Sequence, residues 1–505
     1  MHGSEPPVPI HGTVRGPWPG STHAGDVDPA HPVLLTAWLR PRRGGELDAN
    51  AARALGATPV SKRAYVDRAE LARATDAHPD DIAVFRTFCA RHRIEIADVH
   101  WRSLVLRGTI GHFVDAFGAK VTQHAIEGQG HFRHRSGGMH APPAIAAITR
   151  GVFGLHQWPP AVRVKPLTHH GTPLTPGQVS ARYGFPDADG TGQTIGIVQC
   201  HGKFQAGDFL RCMADQGIAA QLPEVVRVDG SVLDHRFATS SDLEAALDTQ
   251  VAAALAPGAR IVIYEGPNDE RGLLDAIRKA VFDVANAPSI LSISYGWAEM
   301  LWTRATLPLI DDLLIAAALV GMSVFCASGD DGAELDWGDG RAHVLAPASS
   351  PFAIACGATK LVDGEEVAWQ HSGGGFSENS APPPWHATDA GGKPLAGRGV
   401  PDVAALNEPG YLVYVDGVAV ELGGTSAVAP VLAALTARIN QRLGKPAGFF
   451  APLLYAYARR PGIDPPLFRD VTSGGNARYK AHAGWNPCTG LGVPNGAAIE
   501  AMLRA

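Results

Sequence analysis

The chain has 505 residues, more than one hydrophobic core usually organises, with 45% apolar and 18% charged side chains, so a compact protein of two domains is expected. Gly, Pro or a charge interrupts every apolar run well before the roughly 18 residues that a membrane helix needs, which argues against a membrane protein. The six cysteines are scattered and form no CxxC pair; they read as small core residues rather than a zinc knuckle or a disulfide framework.

Charge is uneven along the chain. Residues 1–170 hold 20 Lys and Arg against 14 Asp and Glu, a formal +6, whereas residues 171–505 hold 23 against 35, a formal −12. Fifteen of the 21 histidines lie in the first part. A basic piece joined to an acidic one predicts surfaces that attract each other near neutrality. Acidification charges the histidines first, from an ordinary pKa of about 6.5, and weakens that attraction.

In chain order, residues 1–30 carry Pro, Gly and His without periodicity and no apolar stretch of a signal peptide; a flexible tail is expected. Residues 31–158 read as a small α+β module. Val33 to Leu39 and Arg102 to Arg107 are strand-like, while Asp80 to His92 and Ile110 to Phe117 have helical spacing. Residues 159–175, with Pro159, Pro160, Pro166, Pro173 and the pair His169-His170, have the composition of an exposed, cleavable linker. From 176 onward short β-branched runs (Thr194 to Gln199, Arg260 to Glu265, Ser289 to Tyr295, Ser323 to Ala327, Phe352 to Cys356) alternate with helical candidates at 241–255, 271–286 and 303–320. That is the pattern of an α/β domain, a parallel sheet flanked by helices, whose site lies beyond the carboxyl ends of the strands.

Three short motifs carry chemistry. Gly423-Gly424-Thr425-Ser426-Ala427-Val428-Ala429-Pro430 opens a long apolar run, which places Ser426 at a helix N-terminus, where N–H groups stabilise negative charge. A capped helix after a glycine turn produces a similar pattern. In Ser241-Asp242-Leu243-Glu244-Ala245-Ala246-Leu247-Asp248, the stripe Leu243, Leu247, Val251 leaves Glu244 and Asp248 four apart on an adjoining face; Ser241 to Glu244 also fits a capping box. Ala327-Ser328-Gly329-Asp330 follows a strand and alone means only a turn.

Together these segments resemble the subtilisin clan and, within it, the sedolisins or serine-carboxyl peptidases, specifically kumamolisin-like pro-enzymes. The subtilisin alternative needs a His-Gly-Thr helix, but His11-Gly12-Thr13 lies in the tail and His170-Gly171-Thr172 runs into Pro173. The resemblance implies a subtilisin-like peptidase domain over 176–505, preceded by a ferredoxin-like pro-domain that inhibits it until the linker is cut. It implies an acid-acting endopeptidase with Ser426 as nucleophile, Glu244 as base, Asp248 as its partner and Asp330 facing the oxyanion. Ser294, Tyr295 and Gly296 would form an edge strand that pairs with bound peptide. The segments Ser372-Gly373-Gly374-Gly375 and Arg398-Gly399-Val400-Pro401-Asp402 match further signatures.

The resemblance also implies one Ca²⁺ site, from the Asp470 carboxylate, the carbonyls of Val471, His482 and Gly484, and Asn486 where relatives carry an aspartate. Gln199 and Tyr295 stand where the kumamolisins have a glutamate and a tryptophan. An extracellular monomer acting on proteins or peptides, with no nucleic-acid or membrane partner, is expected. The competing reading is an inactive protease retained as a peptide-binding scaffold.

Overall fold

A computed structural model describes residues 6–126, 130–157, 172–228, 239–335, 339–389, 392–460 and 462–505. Most of the expected linker, 158–171, lies outside the described residues. The chain is picked up again where Thr175 caps the helix Pro176–Arg182. Among the described residues no helix is long and apolar enough to cross a membrane. All six cysteines are buried and unbridged, as core residues should be.

The N-terminal module runs strand Pro32–Leu39, helix Pro79–Arg91, strands Glu95–His100 and Ser103–Thr109, helix Ile110–Phe117 and strand Thr149–Phe153. The first strand sits between the third and fourth in one antiparallel sheet, with Glu95–His100 on the edge, which is the ferredoxin-like order. Period-2 alternation places Leu35, Ala37, Leu39, Leu104 and Leu106 on the face that meets Phe85, Phe88, Phe113 and Phe117 of the two helices. The opposite face, with Trp38 and Phe153, joins the larger core of the following domain.

The first 30 residues are not a tail, since the described part is built into the fold. Val8–Pro9 pairs with His140–Ala141, and Thr22–Asp26 joins Lys120–Ile126 and Gly130–Ser136 in a three-stranded sheet. Ile10 and Trp18 are buried, and Arg15 pairs with Glu270 while donating to the Leu301 carbonyl. The segment is a strap of isolated contacts, which is why it shows no periodicity.

In the second domain six parallel strands follow the order Glu224–Arg227, Arg260–Gly266, Thr194–Cys200, Ile290–Ile293, Ser323–Ala327, Ile354–Val362, and Val403–Glu408 also runs parallel to the last of these. Helices Ser240–Leu255 and Thr425–Leu443 pack together on the sheet, and so do Glu270–Phe282 and Thr306–Leu319. Ile290–Ile293 is therefore a central strand with both ladders filled. Parallel partners lie on either side of it, and Ser294 to Gly296, the segment expected to pair with peptide, lie beyond its carboxyl end.

Besides the apolar face with Trp38 and Phe153, buried cations dock the module on the helix pair Glu270–Phe282 and Thr306–Leu319 and on the loop after Thr425–Leu443. Arg63 donates to the carbonyls of Ala447 and Phe449 at 2.5 and 2.6 Å, Arg68 to those of Ala280 and Val281 at 3.1 and 2.6 Å, and Arg102 pairs with Asp312 at 2.9 Å. Thr36 donates to Asp275 at 2.7 Å. The pairs Arg15–Glu270 and Arg102–Asp312 realise, at two points, the opposite net charges of the two parts.

Two histidines are sealed into this contact. His134 and His156 lie with ring centroids 5.2 Å apart, beside Trp18, Phe132 and His124, and no ring nitrogen of either has a hydrogen-bond partner among the described residues. His156 meets Glu270, Trp297, Leu301 and Trp302 of the second domain around a small cavity. Burial, then the charges of His124, Arg15 and Arg135, hold His134 down from 6.5 to about 4. Burial and the charges of Arg15, His134, Arg135 and Arg133 push His156 down as well. Glu270 and Asp269 are the anions facing this cationic cluster.

Separation returns both rings to water, where they bind protons, so the contact is at full strength above about 6.5 and weakens as pH falls toward about 4. In a chain carrying Ser426→Ala to remove the expected nucleophile, replacing His134 and His156 by Gln should flatten the fall of melting temperature across that window. An unchanged fall would place the sensitivity elsewhere.

Candidate active site

The helix Thr425–Leu443 begins after Gly424, whose φ of +97° suits glycine. A Cβ on Gly424 would lie 2.3 Å from Asp330 Oδ2. The Gly424 N–H is held by Asn407 Oδ1 at 3.0 Å. Ser426 thus stands in the first turn, 4% exposed. Asp330, just past the strand Ser323–Ala327, accepts on Oδ1 from both the N–H and the hydroxyl of Thr425, each at 2.7 Å. Thr425 Oγ1 in turn accepts from the Gly329 N–H at 3.0 Å. With Oδ1 an acceptor twice over, a proton on this carboxyl belongs on Oδ2, above Gly424.

The helix Ser240–Leu255 is capped by Thr239 with Asp242 in a capping box, not by Ser241 with Glu244. The true cap lies two residues earlier and leaves Glu244 uninvolved. Glu244 and Asp248 face inward against the Ser426 helix, and neither is exposed to water at all. Asp248 Oδ1 accepts from Ser294 Oγ at 2.8 Å and Oδ2 from Gln199 Nε2 at 3.0 Å. Gln199 Oε1 accepts from the Tyr295 hydroxyl at 2.8 Å, and the Cys200 N–H supplies that phenol oxygen. The amide of Gln199 is therefore oriented with its nitrogen toward Asp248. The side chains of Ser294 and Tyr295 serve the carboxylates, directly and through Gln199.

Glu244 completes no well-aligned hydrogen bond among the described residues, yet the Ser426 and Ser294 hydroxyls are close enough to favour its ionised form. Such bonds are often loose in the free enzyme and tighten around substrate. Burial, reinforced by the neighbouring Asp248, drives Glu244 well above the usual carboxylate range. Burial also lifts Asp248 to about 8, against the donors Ser294, Glu244 and Gln199. The two titrate as one unit that keeps a proton at neutrality.

The glycine-rich and Arg398 segments are supports. The Gly373 N–H donates to the Gly329 carbonyl at 2.7 Å, Ser328 Oγ to the Gly373 carbonyl at 2.8 Å, and a Cβ on Gly373 would meet Ser328 O at 2.1 Å. Arg398 and Asp402 form a buried pair at 2.6 Å. In the C-terminal loop the Gly484 N–H donates to Asp470 Oδ1 at 3.1 Å, and Asn486 Nδ2 donates to the carbonyls of His482 and Gly484 at 2.9 and 3.4 Å. Asn486, expected as an oxygen ligand, turns its nitrogen to those carbonyls. Val471 is buried beside them.

The domain family described as "Pro-kumamolisin, activation domain" matches residues 19–158. Kumamolisin of Bacillus sp. (strain MN-32) is 36% identical over 537 residues, 98% of this chain and 96% of the relative. The chain belongs to the sedolisin family, the serine-carboxyl peptidases. Tripeptidyl-peptidase sed5 of Aspergillus fumigatus is 25% identical across 98% of this chain and 97% of the relative. Pseudomonas sedolisin, solved with two molecules of pseudo-iodotyrostatin, superposes with a TM-score of 0.58 at 27% identity, covering 66% of this chain and 99% of that one. The chain is a hydrolase made as a zymogen, and the match to the activation domain takes in part of the strap as well as residues 31–158.

Two residues that hold the site escaped the sequence reading. Thr425 gave no signal beyond its place next to Ser426. Asn407 is a polar residue, 0% exposed, inside the apolar strand Val403–Glu408; an amide amid such a run was the available clue. Replacing Gln199 by Met removes a donor that favours ionised Asp248. A hydrogen bond to a charged group is worth about 1.5–3 kcal/mol, so the acid limb of kcat/KM should move up by about one to two pH units. A lowered rate with the limb in place would make Gln199 merely a packing residue.

Proposed function

We propose that Ser426 attacks the peptide carbonyl while Glu244 takes its proton and returns it to the leaving amine, with Asp248 orienting Glu244. Asp330, protonated, and the Ser426 N–H donate to the oxyanion, a contribution of roughly 3–4 kcal/mol for one well-placed donor. The observation that carries this reading is the carboxyl pair sealed beside Ser426 while Asp330 is latched to the same helix turn. The reaction needs Asp330 neutral and the Glu244–Asp248 pair still able to accept a proton, so activity is confined to the acid range. Ser294, Tyr295 and Gly296 contribute backbone to the peptide groove beside Ser426, the Ser294 hydroxyl lying 3.4 Å from the Ser426 carbonyl.

Likeness to kumamolisin across nearly the full length supports an endopeptidase; we take it to work outside the cell as a monomer. On acidification the histidine cluster loosens the pro-domain and the enzyme cuts its own linker within 159–175. Purified full-length chain should shorten when acidified, and a Ser426→Ala chain should not. If both stay whole and no peptide is cleaved, the chain is a binding scaffold.

The role of Asp330 has its own test. Asp330→Asn keeps an acceptor for Thr425 and a donor that needs no acid, so the alkaline limb of kcat/KM should extend upward. Asp330→Ala should lose about 10²–10³ in kcat. Equal losses with the limb unmoved would remove Asp330 from the oxyanion site.

A further inference from the structure

The oxygens that a calcium ion would need in this family are present around the C-terminal loop, but they are already answered. Asn486 Oδ1 accepts from the N–H groups of Cys488 and Thr489, each at 3.0 Å, and from Thr489 Oγ1 at 3.2 Å. Backbone N–H groups only donate, so two of them decide which end of the amide is oxygen. The NH₂ end then faces the carbonyls of His482 and Gly484. Asn486 closes its own N–H and C=O on Gly490 at 3.0 and 2.9 Å, and it is 1% exposed. Asp470 spends Oδ1 on the Gly484 N–H.

We propose that the side-chain nitrogen of Asn486 takes the place of the calcium ion in this chain, so that the loop folds without metal. Two converging carbonyl oxygens need positive charge between them, from a cation or from N–H donors. An aspartate at 486 would keep one oxygen on Cys488 and Thr489 and turn the other toward the same two carbonyls. Three acceptors then converge, and only a hard cation relieves them. The amide relieves them by itself. Asp470 remains the one carboxylate of the set, too little charge for tight calcium binding.

The substitution reaches the site described above. The Cys488 carbonyl accepts from Ser372 Oγ at 3.4 Å, and the Pro487 carbonyl lies 1.9 Å from where a Cβ on Gly374 would stand. Ser372 to Gly374 carry the Gly329 turn that presents Asp330.

The test uses full-length chain bearing Ser426→Ala, with and without Asn486→Asp, melted in EDTA and in calcium, and titrated with CaCl₂ by calorimetry. The Asn486 chain should melt at the same temperature in both and give no binding heat. The Asn486→Asp chain should melt several degrees lower in EDTA and recover in calcium, with one ion bound. Stoichiometric calcium on the Asn486 chain, or a melting temperature that EDTA lowers, would overturn the proposal, as would an Asn486→Asp chain indifferent to calcium. Should Asn486→Asp not fold, the titration of the Asn486 chain decides alone.

Discussion

Two carboxyl groups one helical turn apart and out of contact with water cannot both ionise, because each is desolvated and each repels the other. Glu244 and Asp248 are such a pair, and the surrounding residues answer that constraint. Both oxygens of Asp248 are met by neutral donors, Ser294 and Gln199, so the ionised form of the pair is aided without a further charge. Tyr295 orients the Gln199 amide, and that amide donates at every pH. A glutamate at 199 would supply its donor only while protonated. The proton kept by the pair is thus confined between Glu244 and Asp248, within reach of Ser426, instead of spreading over a third acid.

In the proposed mechanism Asp330 meets a different demand, since it has to offer a proton where a carboxylate ordinarily offers none. Thr425 resolves this by geometry, directing both its donors at Oδ1 and leaving the proton to Oδ2. Because Thr425 is also the first residue of the nucleophile helix, the oxyanion carboxyl and Ser426 are positioned by one residue. The Gly329 turn, the Ser372–Gly374 turn and the 484–490 loop then stack behind Thr425 through carbonyl and N–H contacts that leave no room for a Cβ.

Where a pattern repeats, the sequence predicted the structure closely. The helices expected at 241–255 and 110–117 were visible because their apolar stripes have a definite period, and the strand at 323–327 because it is a short β-branched run. Contacts made once, with a surface built hundreds of residues later, leave no period, and so Arg15, Trp18 and His156 could not be placed. Residue identity showed that Asn486 lacks a charge; only the N–H groups of Cys488 and Thr489 show which end of the amide points at the carbonyls.

If the zymogen opens in acid, as proposed, it needs contacts that yield to protons and others that do not. Arginine bound to carbonyls, as at Arg63 and Arg68, keeps its charge throughout the range and gives the pro-domain contact a pH-independent base. The buried imidazoles of His134 and His156 are the part that yields. The peptidase domain must meanwhile stay whole in the medium that releases its inhibitor. A cation held by carboxylates loosens as those ligands are protonated, whereas an amide does not titrate. Asn486 therefore secures the loop behind Asp330 under the acidity at which Asp330 works.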